Sequence, residues 1–160
     1  MPDAASDDHG NDAGSATQIA LNQSVAGDIE ISGDSDWVEF TAQESFQYQI
    51  ATAGGTLSDT FLRLIGTDGT TELDDDDDGG PGLLSLINWT APSSGTYYAE
   101  VTGFENDTGT YGVSVTESPP ADDHGNEAGS ATQLSLGQSK AGDIEISGNV
   151  DWFKFTAQAN

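Results

Sequence analysis

Residues 7–43 and 122–158 are one segment written twice. They align without a gap at an offset of 115, and 28 of the 37 positions are identical. A repeat of that period fits one sandwich domain of about a hundred residues. The chain of 160 residues therefore reads as three parts. Residues 1–118 are one complete unit and 119–121 a Pro-rich linker. Residues 122–160 are the truncated N-terminal third of a second unit.

Period-two alternation fills the complete unit, and no sustained 3.6-residue stripe interrupts it. Gly27-Asp28-Ile29-Glu30-Ile31-Ser32 places Ile29 and Ile31 inward. Trp37-Val38-Glu39-Phe40 alternates again, and its second copy reads Trp152-Phe153-Lys154-Phe155. Val38 becomes Phe153, so that side is apolar; Glu39 becomes Lys154, so the other side is wet. Thr60 to Ile65 is apolar on both faces, as in a central strand, and Gly66-Thr67-Asp68-Gly69 is a hairpin turn. Tyr97, Ala99 and Val101 share one face, leaving Tyr98 on the opposite face as a candidate for an exposed binding surface. Asp74 to Asp78 followed by Gly79-Gly80-Pro81-Gly82 is expected to be an exposed loop. Eight or nine short strands with frequent turns predict an all-β, antiparallel, jelly-roll-like β-sandwich.

Charge narrows the function. Three Lys and Arg stand against 28 Asp and Glu, a formal net charge of −25. Such a field repels nucleic acid and anionic lipid, which removes both as partners. Its origin is a solvated acidic surface, cation ligation, or both. There is no cysteine, hence no disulfide scaffold, thiolate metal site or Cys nucleophile. No apolar run is long enough to span a bilayer. Met1-Pro2-Asp3-Ala4-Ala5 lacks the basic and apolar regions of a secretion signal, so this start is expected to be a cut or a mature end.

The acidic residues are grouped. Asp7-Asp8-His9-Gly10-Asn11-Asp12 and Gly33-Asp34-Ser35-Asp36-Trp37 lie about twenty residues apart, and the second group runs into a strand. Calcium takes six to eight oxygens from flexible loops. Asp7, Asp8, Asn11, Asp12, Asp34 and Asp36 supply enough, and a shared cation relieves their mutual repulsion. Asp and Asn are also ordinary turn formers. The repeat copy offers Asp122, Asn126, Glu127, Asn149 and Asp151; Asn149 replaces Asp34, so a site there is expected to be weaker. Asp74, Asp76 and Asp78 match the opening of an EF-hand-type loop. The twelfth position is Ser85 where that loop needs Glu, which leaves a solvated acidic run or a second, weaker calcium site. His9 and His124 read as polar loop histidines. No Gly-x-Ser-x-Gly elbow or His-Glu-x-x-His motif occurs and no carboxylate pair stands out, so no catalytic residue is assigned.

The order of these motifs resembles the bacterial pre-peptidase C-terminal (PPC) domain and the related collagen-binding domains of secreted bacterial collagenases. The motifs are the Asp/Asn-rich loop, Gly-Asp-Ile-x-Ile, Asp-x-Asp-Trp-x-x-Phe, an Asp-Gly hairpin, the Asp-rich loop, Gly-Thr-Tyr-Tyr-x-x-Val and Gly-x-Tyr-x-Val-x-Val. The resemblance spans residues 7–116 and recurs over 122–158. It implies a jelly-roll sandwich that is not an enzyme, carried by a secreted or cell-surface bacterial protein. It also implies calcium held by Asn11, Asp12, Asp34 and Asp36, with Asp7 or Asp8 as a further oxygen. His9 stands where such a relative can carry a carboxylate. The expected role is targeting, tethering or substrate binding, with an extracellular protein or polysaccharide as partner. The alternative is a self-associating repeat of a stalk, adhesin or filament. The C-terminal segment is expected to be cut from a longer tandem array, or, in the alternative, to pack on a neighbouring chain.

Overall fold

The computed structural model describes residues 6–158; residues 1–5 and 159–160, at the outer ends of the two expected domains, lie outside it. The chain separates into two compact units, Met1–Ser118 and Pro119–Asn160. No helix occurs among the described residues.

Among the described residues, unit 1 is a β-sandwich of nine strands. They are β1 (Thr17–Gln18), β2 (Gln23–Ile29), β3 (Asp36–Ala42), β4 (Gln47–Gly54), β5 (Thr60–Ile65), β6 (Glu72–Asp76), β7 (Leu86–Thr90), β8 (Gly95–Gly103) and β9 (Gly109–Ser118). One sheet has the order β1-β3-β8-β5-β6, the other β2-β9-β4-β7. Among the named strands of unit 1 the pairings are antiparallel except β1 with β3, which is parallel, with Thr17 opposite Val38; an isolated parallel bridge joins Asp59 and Leu83.

The inward residues of both sheets form one core. Val38, Phe40 and Ala42 of β3 meet Tyr97, Ala99 and Val101 of β8 and Leu62 and Leu64 of β5. Tyr48 and Ile50 of β4 and Val113 and Val115 of β9 close it from the other sheet. Trp89 packs edge-on against Tyr97, with ring centroids 4.6 Å apart. Burying such side chains supplies most of the driving force, at roughly 25 cal/mol per Å² of apolar surface.

Two expectations fail. Ile31 is 70% exposed, not inward. β2 stops at Ile29, and the next residues bend toward Gly33 at φ +86°, with Asp34 N–H donating to Ile31 O at 3.1 Å. Alternation ends where the ladder ends. The run from Asp74 is not wholly loop either: Glu72–Asp76 is β6, paired with β5 through Arg63 and Asp75. β6 lies at the sheet edge with one partner, and an edge position leaves its carboxylates in water.

The segment after β6 is anchored from below. Ser85 is fully buried; its Oγ lies 2.9 Å from Thr60 Oγ1 and donates to Asp77 O at 3.1 Å. Thr52 Oγ1 lies 2.7 Å from Thr60 Oγ1, so three hydroxyls satisfy one another inside the sandwich.

Unit 2 contains two short strands, β10 (Thr132–Gln133) and β11 (Phe153–Lys154), paired in parallel with Thr132 opposite Phe153. That register is the β1–β3 pairing shifted by the repeat offset.

Candidate metal centre

The centre begins with the phase of β3. Asp36 stands in register with Val38, Phe40 and Ala42, so the pleat turns its carboxylate toward the core. It is 0% exposed. Tyr111 stands in the same inward phase on β9, and its hydroxyl donates to Asp36 Oδ2 at 2.8 Å, joining the two sheets. The phenol lies across Gly27, its partner in the β2–β9 ladder. A Cβ on Gly27 would come within 2.5 Å of the ring, so only glycine fits there. Asp36 Oδ1 is buried and has no hydrogen-bond partner. Burial pushes the Asp36 carboxyl up to about 7, against the opposing pull of the Tyr111 hydrogen bond. An orphaned oxygen of this kind costs stability unless something pairs with it.

Three more carboxylates converge on Asp36. One oxygen each from Asp7, Glu30, Asp34 and Asp36 all lie within 4.8 Å of one another. Oxygens at about 2.3–2.6 Å from one calcium ion span that range. Burial, then the neighbouring Asp34 carboxylate, raises the pKa of Glu30. Both effects mean that negative charge is crowded here without compensation.

Asn11 joins the two loops. Its Oδ1 accepts from Ser35 N–H at 3.1 Å, and its Nδ2 donates to Asp7 Oδ2 at 3.2 Å. Trp37 N–H donates to Gly10 O at 3.0 Å. Gly10 is packed tightly, since a Cβ there would meet Ser15 Oγ at 2.3 Å. Asp8 backs the cluster: its N–H donates to Glu30 Oε1 at 3.1 Å, and its Oδ1 accepts from Asp28 N–H at 3.4 Å.

Asp12 stands apart from the carboxylate cluster. Its Oδ1 accepts from Gly14 N–H, Ser15 N–H and Ser15 Oγ at 2.9, 3.0 and 2.8 Å, which makes it the cap of a turn. The Ser15 hydroxyl leads the effects that lower its pKa. His9 is buried rather than a solvated loop side chain. Its Nε2 lies 2.9 Å from Ala26 O, and a carbonyl can only accept, so Nε2 carries the proton. Nδ1 pairs with Thr17 Oγ1 at 2.8 Å. With both nitrogens engaged, His9 ties the first loop to β1 and β2.

Glu30 is the residue that strand alternation hides, because it reads as the wet side of β2. The internal repeat carried a signal: Val25/Lys140 and Glu39/Lys154 differ between copies, whereas Glu30 and Glu145 are the same.

In the Asp-rich loop, Asp74 is exposed, and Asp76 Oδ2 accepts from Gly79 N–H and Leu86 N–H, both at 2.8 Å. Asp78 converges instead with Asp59 and Asp77 within 4.8 Å. Burial first, then neighbouring carboxylates, raises the pKa of Asp59 and Asp77.

Unit 2 repeats the scaffold. His124 pairs with Thr132 Oγ1 at 3.0 Å and Ala141 O at 2.8 Å; Trp152 N–H donates to Gly125 O at 3.1 Å. Asn126 donates to Asp122 and accepts from Val150 N–H. Asp122, Asp123, Glu145 and Asp151 bring oxygens within 4.8 Å of one another. Asn149 donates to Glu145, and Glu127 is exposed, its backbone oxygen accepting from Ser130. Asp151 has an unpartnered buried Oδ1, yet the residue as a whole is less enclosed than Asp36.

Tyr98 lies half-buried on the outer face of the five-stranded sheet, its ring centroid 6.2 Å from that of Trp37.

Residues 34–103 match the model of the bacterial pre-peptidase C-terminal domain. Unit 1 is similar to the PPC domain over those residues. The solved PPC domain of a collagenase from Bacillus anthracis is 25% identical, with a TM-score of 0.52 over 62% of this chain and 93% of that one. A periplasmic inhibitor of g-type lysozyme, PliG from Aeromonas hydrophila, has the same TM-score of 0.52 at 10% identity, covering 64% of this chain and 96% of its own; it shares the fold. No curated protein matches the chain. PPC domains are non-catalytic accessory domains of secreted bacterial proteins. Unit 1 is accordingly similar to a domain of a collagenase, and an extracellular setting fits that likeness.

Proposed function

We propose that this chain is a non-catalytic, calcium-stabilised extracellular module that targets or tethers a larger secreted protein. The supporting observation is the fully buried Asp36, whose orphaned Oδ1 belongs to a cluster shared with Asp7, Glu30 and Asp34. These donors are all oxygen, which suits a hard cation, and their loops allow the irregular geometry that calcium accepts and magnesium resists. Asp7, Glu30, Asp34 and Asp36 would hold the ion. Asn11 and Asp8 would orient them. The ion would fasten residues 7–12 to the β2–β3 turn and remove the cost of crowding the carboxylates.

Thermal unfolding with calcium and with a chelator tests this reading. A hundredfold excess over Kd stabilises by about 2.7 kcal/mol, on the order of 10 °C in midpoint for a domain of this size. Asp36→Asn keeps the shape and should lose most of that rise. An equal rise with magnesium or plain salt would show general charge screening and overturn the reading.

A second reading has its own observation. Phe155 is 62% exposed and Ile144 is 55% exposed, whereas their counterparts Phe40 and Ile29 are each 1% exposed. Large exposed apolar patches mark contact surfaces. On this reading the C-terminal segment packs on a neighbouring chain in a repeating assembly. The solution mass should then rise with concentration, and a monomer with and without calcium would remove it.

A further inference from the structure

The two outer faces of the sandwich differ in charge. The five-stranded sheet turns Glu39, Arg63, Asp75 and Glu100 outward. No Asp, Glu, Lys or Arg stands at an outward position of β4, β7 or β9. In a chain of net charge −25 this part of the sheet is poor in charge, Asp28 on β2 being the outward acid beside it. It contains a recess of about 460 Å³ lined by Gln47, Gln49, Asn88, Thr90, Thr116 and Ser118.

We propose that this recess binds a neutral polysaccharide. The inference deepens the reading of the chain as a binding module and rests on it for the role, though not on calcium. Carboxamides and hydroxyls each offer both a donor and an acceptor, as sugar hydroxyls do. Gln49 Nε2 donates to Asn88 Oδ1 at 3.1 Å, which orients both amides and leaves Gln49 Oε1 to accept and Asn88 Nδ2 to donate. Glu117 also lines the recess, but it stands in the inward phase of β9 opposite Tyr48 and its Oε2 is buried, so it is not among the groups offered to a sugar. Trp89, half-buried, adds apolar surface to the same recess.

Other ligands fit less well. β4 and β9 are interior strands, paired on both sides, so an extended peptide can add only at the edge of β7, beside the recess and not across it. An anionic polymer meets the repulsion of the whole chain, and a cationic one is drawn to the acidic faces instead. A neutral, hydroxyl-rich chain meets neither effect.

Affinity gel electrophoresis of the full chain, in calcium, through gels containing dextran, galactomannan, xyloglucan or hydroxyethyl cellulose tests the proposal. At least one polysaccharide should retard the protein. The double variant Gln49→Ala, Asn88→Ala should weaken that retardation roughly tenfold, as the loss of about 1.4 kcal/mol would. Thr41→Ala, on the outer face of the opposite sheet, should leave it unchanged, as should added salt. Retardation by none of the four, retention unaffected by the double variant, or loss of binding in salt would overturn the proposal. Each variant is first melted with calcium and with chelator. A normal calcium shift without polysaccharide binding therefore fails this inference alone, and an absent shift fails the calcium reading alone.

Discussion

Segments 7–43 and 122–158 share most of their residues, and they do not share a fold. Both form the histidine–threonine pair, the Gly–Trp backbone bond and the short parallel ladder. Only the first extends into the seven-residue strands β2 and β3. β2 needs β9, and β3 needs β8. Residues 138–151, which include the counterparts of all of β2, form no strand. Turns and side chain–backbone ties are thus encoded within the segment, whereas strands and burial depend on partners distant in sequence. The acidic clusters follow the same division. Both copies gather four acids, and only the first is sealed by a core that buries Asp36 beneath Tyr111.

The widest gap between the copies should appear at the apolar positions. Phe40→Ala empties a core site, and such changes cost about 3–5 kcal/mol. The same change at exposed Phe155 should stay within about 0.5 kcal/mol. Denaturant titration of the two variants measures both. Equal costs would mean that the second copy buries its face in solution, and the contrast between the copies would collapse.

Next in size is the pH response of the buried carboxylate. The Asp36 carboxyl is raised to about 7 from the ordinary 3.8. A raised carboxyl makes its contribution in the protonated form, which is fully present below the unfolded value and lost as pH climbs through the folded one. Metal-stripped protein should therefore lose midpoint between about pH 4 and pH 7, beyond the loss that its general negative charge produces. Asp36→Asn should remove that extra loss and leave Asp151→Asn as a control of small effect. In calcium the trend should reverse, because the ion requires the ionised form. A stripped protein whose pH profile matches that of Asp36→Asn would show that the enclosure of Asp36 has no energetic consequence.

Some of this was legible in the sequence. Alternation located β3, β4, β8 and β9, and the paired acidic bends were visible as candidate loops. The inward phase of Asp36 was also readable, since it is two residues before Val38 and four before Phe40. Its partner was not: Tyr111 is 75 residues away, and only the packing of the two sheets brings them together. Glu30 was hidden because alternation treats a polar residue at the end of a strand as solvated, while the bend at Gly33 folds it back over Asp34. Residue type and the resemblance both put Asp12 among the ligands, although Asp three residues before Ser is equally a turn cap. The strand returning after the hairpin is read from Thr70 to Leu73, and its continuation through Asp74–Asp76 was missed because a run of acids argues against a strand only where both neighbours are paired, and β6 has one.

The smallest predicted effect tests whether composition or enclosure sets the strength of the site. Asn149 stands where the first copy has Asp34, and its amide occupies one Glu145 oxygen. Asn149→Asp restores a carboxylate and frees that oxygen. Calorimetric titration should then show the second site gaining calcium affinity, by roughly tenfold for one added charge–ion contact of about 1.4 kcal/mol. It should remain weaker than the first, because no counterpart of Tyr111 closes over Asp151 and water screens its charge. If Asn149→Asp makes the two sites equal, ligand identity alone governs affinity, and the sandwich around Asp36 adds nothing to it. If the two sites are already equal in the unchanged chain, neither the substitution nor the enclosure matters. The four acids gathered by the local turns would then be the whole of the site.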